Sequence, residues 1–436
     1  MNQAEMQAYW MPFTSNRAFK QDPRIIVAGE GRYYTDDRGR KIFDGLSGLW
    51  TCGLGHARPE IAEAVSRQIR ELDYSPAFNF AHPKAFQLAE RVTEFMPAGL
   101  NRVFFTCSGS EAVDTALKIA RAYWRKKGMA SKTRLIGRVK GYHGVNFGGI
   151  SVGGIVGNRA LYGQGIEADH LPHTMTPENA FSRGMPEQGA HLAYELLNLI
   201  DLHDASNIAA VIVEPVAGSA GVIPPPKGYL KRLREICTQH NILLIFDEVI
   251  TGLGRMGANT GAEAFGVVPD MLTLAKQITN GNVPMGAVVA KDEIYQCFME
   301  NGGAVHMVEL PHGYTYSAHP LACAAGLAAL DVLEKEAMPE RVKAMSPVFE
   351  EAWHSLKGTK YITDIRNCGL AGALTLQGTN GDAVIRPYQV ALKCWEKGFY
   401  VRNGGDTIQL GLPFTVEAHE IDAVVNAIGE AINELE

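Results

Sequence analysis

The stretch from about residue 56 to residue 300 constrains this chain most. Apolar runs such as AAVIVEP (Ala209–Pro215) and ILLIFDEV (Ile242–Val249) alternate there with helical stretches such as PKGYLKRLREICTQHN. That alternation is the pattern of βαβ units, and it predicts an α/β fold with a mostly parallel sheet between helices. At 436 residues the chain exceeds one ordinary core, so two lobes sharing a cleft are expected. Residues 56–329 are assigned to the large lobe. Before it, RYYTDDRGRKIFD (Arg32–Asp44) alternates around a D-R-G-R turn and reads as a β-hairpin, followed by a Gly-rich loop from Gly45 to Gly55. After His319-Pro320, LACAAGLAALDVLEKE reads as a helix, and YITDIRNCGLAGALTL as short strands. Residues 1–55 and 330–436 are therefore expected to build a smaller α+β lobe from both chain ends.

Composition narrows the function classes. A net charge of −6 gives no basic surplus for nucleic acid. The seven cysteines never fall in a C-x-x-C spacing, which points away from a disulfide framework or zinc site and towards a reducing cytoplasm. No apolar run approaches the roughly 20 residues of a membrane helix, and the start, MNQAEMQAYWMPFT, lacks a basic-then-apolar leader. A soluble, unexported protein with no metal is the expectation.

In an open α/β sheet, ligands sit beyond the carboxyl ends of the strands. Three charged residues follow apolar runs: Glu214 after AAVIV, Asp247 after ILLIF and Lys276 after MLTLA. Any one of them is accounted for as a solvated or ion-paired group at a sheet end; three together favour a site. A lysine beside apolar sequence loses hydration, which frees its amine to attack an aldehyde. A carboxylate able to hold a protonated pyridine nitrogen is the complementary half of a pyridoxal-5′-phosphate (PLP) site. TCSGSEAVDTALKIAR (Thr106–Arg121) adds an apolar strand ending in Ser108-Gly109-Ser110 where a helix begins, so its amides would face an anion. A plain N-cap explains the same residues. GLGRMG (Gly252–Gly257) resembles a dinucleotide loop only superficially and is read as a flexible loop.

These motifs, with KGYHG (Lys140–Gly144), FDEVITGLGRMG (Phe246–Gly257), LAKQITNGNVPMGAV (Leu274–Val288) and HGYTYSAHP (His312–Pro320), resemble class III PLP-dependent aminotransferases of fold type I. The likeness runs in order over nearly the whole chain. YWMPF (Tyr9–Phe13), LSGLWTCGLGH (Leu46–His56) and LDYSPAFNFAHP (Leu72–Pro83) resemble the ω-amino acid:pyruvate branch. The fold type implies a seven-stranded sheet in the large lobe.

The resemblance implies roles. Lys276 would form the Schiff base and later shuttle a proton, and Asp247 would bind the pyridinium. Tyr142 would stack on one ring face with His143 beside it, and Val249 would press on the other. Ser108, Gly109 and Ser110 would hold the phosphate, joined by Tyr314 and Thr315 from a neighbouring subunit, so a homodimer is expected, with a tetramer as the alternative. Glu214 would lie at the cofactor and pair with Arg402 when that arginine swings away. Trp50, Phe78, Tyr142 and Arg402 would select substrate, Arg402 by forking onto a carboxylate. Taken without the resemblance, Arg402 reads as a surface arginine, and Trp50 and Phe78 as core aromatics. Two departures stand out: Ala318 where many relatives have Gly, and Cys107 where Asn is common. The expected reaction moves an amino group from an ω-amino acid or primary amine, β-alanine foremost, to a 2-oxo acid, pyruvate. Its alternatives are a 4-aminobutanoate or diamine aminotransferase, another PLP reaction such as an aminomutase, or a non-catalytic module.

Overall fold

The computed structural model describes residues 3–436. Fifteen strands run through these residues. β1 (Ile26–Glu30), β2 (Tyr33–Asp36) and β3 (Lys41–Asp44) come first; β4 (Leu100–Thr106), β5 (Arg134–Arg138), β6 (Ala168–Leu171), β7 (Ile208–Val213), β8 (Leu243–Asp247), β9 (Met271–Leu274) and β10 (Gly286–Lys291) follow. The last are β11 (Ile362–Cys368), β12 (Ala371–Leu376), β13 (Phe399–Tyr400), β14 (Arg402–Gly404) and β15 (Thr407–Gly411).

The central sheet has seven strands in the order β4-β10-β9-β8-β7-β5-β6. β9, β8, β7, β5 and β6 pair in parallel, and β10 runs antiparallel to both β9 and β4. Helices cover both faces, which is why β7 (IAAVIV) is buried at every position instead of alternating. The two faces still divide by parity. Val211, Val213, Leu244 and Phe246 enter one core cluster; Ala210, Ile212, Leu243 and Ile245 enter another, under helix Gly109–Lys126. Each fully buried Val, Leu, Ile or Phe contributes about 1.5–3 kcal/mol, so β7 and β8 form a rigid floor.

The chain ends share the smaller sheets. The expected hairpin is β2 and β3, and β13 joins it in parallel, Phe399 facing Phe43 and Tyr400 facing Asp44. β11, β12, β15 and β14 make a third, antiparallel sheet, in which Arg402 pairs with Gln409. One expectation is corrected here. Gly252–Gly257 is not a flexible loop: its first four residues are buried, and Arg255 Nη1 donates to the Leu412 carbonyl at 2.6 Å. Its guanidinium lies 4.7 Å from the Phe414 ring centroid and 5.6 Å from that of Trp50. Glycine content signalled chain freedom in the abstract, but packing against the Trp50 loop removed it.

Candidate active site

The carboxyl ends of β4, β5, β7, β8 and β9 open onto one cavity of about 290 Å³, near the lower end of small-molecule sites. Ser108, Gly109, Ser110, Tyr142, His143, Glu214, Asp247, Val249 and Lys276 all line it, as do Thr51, Thr279 and Gly281 from loops. Strand-end chemistry and sheet topology thus converge on one place, the place where open α/β sheets take ligands.

Asp247 closes β8 and is almost fully buried. Its Oδ2 accepts from His143 Nδ1 at 2.8 Å, which makes Nδ1 the protonated nitrogen. Its Oδ1 accepts from Thr273 Oγ1 at 3.1 Å and from the Val249 amide at 3.2 Å. Three donors from three segments fix the carboxylate's orientation. His143 Nε2 is buried without a hydrogen-bond partner.

Lys276 follows β9 across Ala275, at φ 50°, a left-handed conformation rare outside glycine and found where a site stores strain. Burial pushes its amine down to about 8, with Asp247 pulling the other way. Arg402 is close enough for its charge to lower Lys276 further and to act on Tyr142. Glu214 is pushed up to about 7 by burial, with Asp247 adding to the rise and His143 opposing it. Its Oε1 accepts from the Tyr142 amide at 2.9 Å and its Oε2 from the Gly218 amide at 3.0 Å, so it holds the Tyr142 loop rather than pairing with Arg402. No ion pair joins Glu214 and Arg402 among the described residues.

The Ser108 loop does two jobs. Ser108 Oγ caps helix Gly109–Lys126 by accepting from the Glu111 amide at 3.2 Å. Ser110 Oγ accepts from the Val145 amide at 3.1 Å. At Gly109 a Cβ would meet both Val249 methyls at 3.0 Å, and at Gly144 it would fall 2.5 Å from Ser110 Oγ. Neither position has room for a side chain of its own beside Val249 and Ser110.

The remaining expected residues are dispersed. Trp50 is 1% exposed in a core cluster with Leu46, Val216, Val222 and Ile250, and its neighbour Thr51 reaches the cavity instead. Phe78 is 56% exposed, beside a second hollow with Phe80, His82 and His312. Tyr314 OH lies 3.2 Å from Thr115 Oγ1, on the helix that starts at the Ser108 loop, and Thr315 is exposed, its carbonyl accepting from Tyr74 OH at 3.1 Å. Glu248, whose role the sequence did not reveal, points away from the cavity. It accepts from the Gly261 and Ala262 amides and from Thr251 Oγ1, capping helix Gly261–Phe265. Sequence reasoning also missed the His143–Asp247 bond and Thr273; the only signal for Thr273 was a hydroxyl inside the apolar run MLTLA.

The model of the family described as aminotransferase class-III matches residues 14–432. The chain belongs to the class III aminotransferases. It is 59% identical to the beta-alanine–pyruvate aminotransferase of Pseudomonas aeruginosa, over 99% of this chain and 97% of that one. It is 58% identical to the omega-amino acid–pyruvate aminotransferase of Pseudomonas putida, over 100% and 97%. Among solved structures, the PLP-bound amine transaminase from an uncultivated Pseudomonas species superposes with a TM-score of 0.89 at 37% identity, over 98% and 99%. A thermostable omega transaminase of Pseudomonas jessenii reaches 0.93 at 30% identity, over 99% and 97%. The fold is therefore that of the PLP-dependent transaminases, as expected from the sequence.

Class III aminotransferases depend on PLP, and the cavity of this aminotransferase suits that group. An amine of depressed basicity, an oriented buried carboxylate and a helix N-terminus at Gly109 match an aldehyde, a pyridine nitrogen and a phosphate. Ala318, one of the two departures noted in the sequence, lies at φ 51°, so its methyl occupies a conformation that glycine would adopt freely.

Proposed function

We propose that this aminotransferase moves the amino group of an ω-amino acid or primary amine, β-alanine foremost, to pyruvate. The products are malonate semialdehyde and L-alanine. The observation that carries the reading is Lys276 and Asp247 facing one cavity on a chain alike over its whole length to enzymes named for β-alanine or ω-amino acids and pyruvate. Diamines are the next donor class, because a putrescine–pyruvate aminotransferase of Pseudomonas aeruginosa is 36% identical over 97% of this chain.

Bound PLP supplies an aldehyde over which amines exchange and a ring that withdraws electrons from the donor carbon. Asp247, oriented by His143 and Thr273, would hold the ring nitrogen. Gly109 and Ser110 at the helix N-terminus would hold the phosphate, and Tyr142 and Val249, which line the same cavity, would hold the ring. Lys276 Nζ would hold the aldehyde end of the group, and as a free amine it would move the proton of the donor's amine-bearing carbon. Its depressed basicity suits that task near neutral pH. Arg402 binds the carboxylate of β-alanine or pyruvate, drawing on the charge that already reaches Lys276 and Tyr142.

We further propose a homodimer. Tyr74, Phe78, Phe80, Phe86 and Tyr316 expose between 38% and 70% of their surface, far more aromatic area in one region than a monomer ordinarily leaves in water. Light scattering giving a mass near 47.4 kDa would contradict pairing. The seven cysteines are free thiols, which suits a reducing cytoplasm.

The decisive test of the reaction is visible absorbance of the holoenzyme. β-Alanine bleaches the cofactor's long-wavelength band, pyruvate restores it with formation of alanine, and Lys276→Ala abolishes the cycle. Bleaching by other amines but not β-alanine refutes the donor; cycling in Lys276→Ala refutes the lysine.

A further inference from the structure

The turn that carries Lys276 holds a conformation its own sequence does not favour. Lys276 opens a short 3₁₀ turn, Lys276–Thr279, and Asn280 follows it, at φ 50° and 51°. Asn tolerates the left-handed region better than most residues, but a lysine there persists only where its surroundings over-determine it. Those surroundings are the Gly-rich loop that ends at Gly55. Gln277 Oε1 accepts from the Gly53 amide at 2.9 Å, Asn280 Oδ1 accepts from the Leu54 amide at 3.0 Å, and Asn280 Nδ2 donates to the Gly55 carbonyl at 2.8 Å. Both side chains are buried, and the fit is close: a Cβ on Gly53 would fall 2.5 Å from Gln277 Oε1 and 2.6 Å from the Phe414 ring. The receiving loop is itself fixed. The Phe414 amide donates to the Gly53 carbonyl at 2.8 Å, and Gly31 and His56 exchange both backbone bonds, at 3.1 and 2.7 Å.

The two segments also meet at the cavity wall. Lys276, Thr279 and Gly281 line the cavity from the turn, and Thr51 lines it from the loop. A Cβ on Gly281 would stand 3.0 Å from both Thr51 Cβ and Thr51 Oγ1, so turn and loop touch there. The Gly281 amide closes the turn by donating to the Lys276 carbonyl at 3.1 Å. Gln277 and Asn280 are not among the lining residues, so any effect they have on the chemistry passes through Lys276.

We propose, resting on the reading of Lys276 as the reacting lysine, that Gln277 and Asn280 are positioning residues: their clasp on the Gly53–Gly55 backbone keeps Lys276 left-handed and so aims its amine into the cavity. An amine at the end of a long, flexible side chain loses its aim when the backbone beneath it relaxes. Misplacing a reacting group by about 1 Å costs up to about 10²-fold in rate. Substrate binding draws on other residues and is untouched, so the loss falls on turnover and not on KM.

The test removes the clasp without straining the turn. Asn280→Gly keeps the left-handed backbone accessible and deletes the bonds to Leu54 and Gly55; Gln277→Ala deletes the bond to Gly53. In the PLP-loaded variants, kcat for alanine formation should fall about tenfold or more while KM for donor and acceptor stays within about twofold. Circular dichroism of the cofactor's long-wavelength band should weaken with far-UV dichroism unchanged, and hydrogen exchange at the Gly53 and Leu54 amides, slow in the wild type, should accelerate. Glu248→Ala, which costs stability through a helix cap outside the cavity, should leave kcat and the band as they are. Wild-type kcat and band in a folded Asn280→Gly, a rise in KM in place of a fall in kcat, or an equal loss in Glu248→Ala overturns the proposal. Should Asn280→Gly not fold, Gln277→Ala decides by the same readings, and fast exchange at the Gly53 and Leu54 amides of the wild type overturns the clasp without any variant. Failure of the lysine assignment shows separately, as cycling in Lys276→Ala, and failure of β-alanine as donor leaves the dichroism and exchange readings intact.

Discussion

The proposed cofactor side and the proposed substrate side of this site are built differently. On the cofactor side, Glu214, Asp247 and Lys276 follow buried parallel strands, and each is held by backbone amides, a neighbouring side chain or a constrained turn. On the proposed substrate side, Trp50, Phe78 and Arg402 come from loops and from a short edge strand, and they do not meet in one cavity within a single chain. Chemistry common to all substrates sits on the rigid floor. Selection among substrates is left to segments that can vary without disturbing it.

Substitutions on each side should therefore fail differently. Asp247→Asn keeps the shape but removes the charge that holds the ring nitrogen's proton; kcat should drop by about 10²-fold or more with folding intact, measured by alanine formation at saturating substrates. Activity within a few-fold of wild type would dissolve the distinction between the two sides. Arg402→Ala should act on KM instead, raising it for β-alanine and pyruvate about 10- to 100-fold, as loss of a charged hydrogen-bonded pair predicts. The half-reaction with an uncharged monoamine should barely change; an equal loss there would move Arg402 to the cofactor side.

A smaller effect follows from Lys276. Its amine, lowered by burial to about 8, is mostly protonated below that pH and mostly free above it. PLP uptake by the apoenzyme, which needs the free amine, should accelerate about tenfold between pH 7 and 9 with a midpoint near 8. A midpoint near the ordinary lysine value would show that the pocket does not desolvate this amine. The smallest catalytic effect is expected next door to Asp247. Glu248→Ala should lower stability by about 1–3 kcal/mol by orphaning the Gly261 and Ala262 amides, seen in thermal melts, while the folded fraction retains its kcat. Two adjacent acids would then be separated, one serving the reaction and the other a helix cap.

Much of the large lobe was legible because local pattern and tertiary role agree there. AAVIV and ILLIF can be buried strands in few other ways, and a charged residue placed after such a run emerges at the sheet's carboxyl edge. The Ser108 loop was legible as two alternatives, and the structure uses Ser108 for the cap while packing Gly109 against Val249. Illegible were contacts between distant segments: His143 with Asp247, 104 residues apart, and Gln277 and Asn280 with the Gly53–Gly55 backbone. Gly252–Gly257 misled for the same reason, since its six residues contain nothing that announces Trp50 and Phe414 overhead.

What the amino-acid order determined by itself is the alternating α/β architecture, the strand-end positions of Lys276 and Asp247, and membership of the class III family. These depend on hydrophobic periodicity and on residues adjacent in the chain. Only the tertiary structure decided which hydrogen bonds orient Asp247, that Glu214 and Glu248 serve the backbone, that Trp50 is buried, and that His56 meets Asp44. Those relations are set by how separate elements pack. A buried polar group finds its partner by proximity in space, to which spacing along the chain gives no guide.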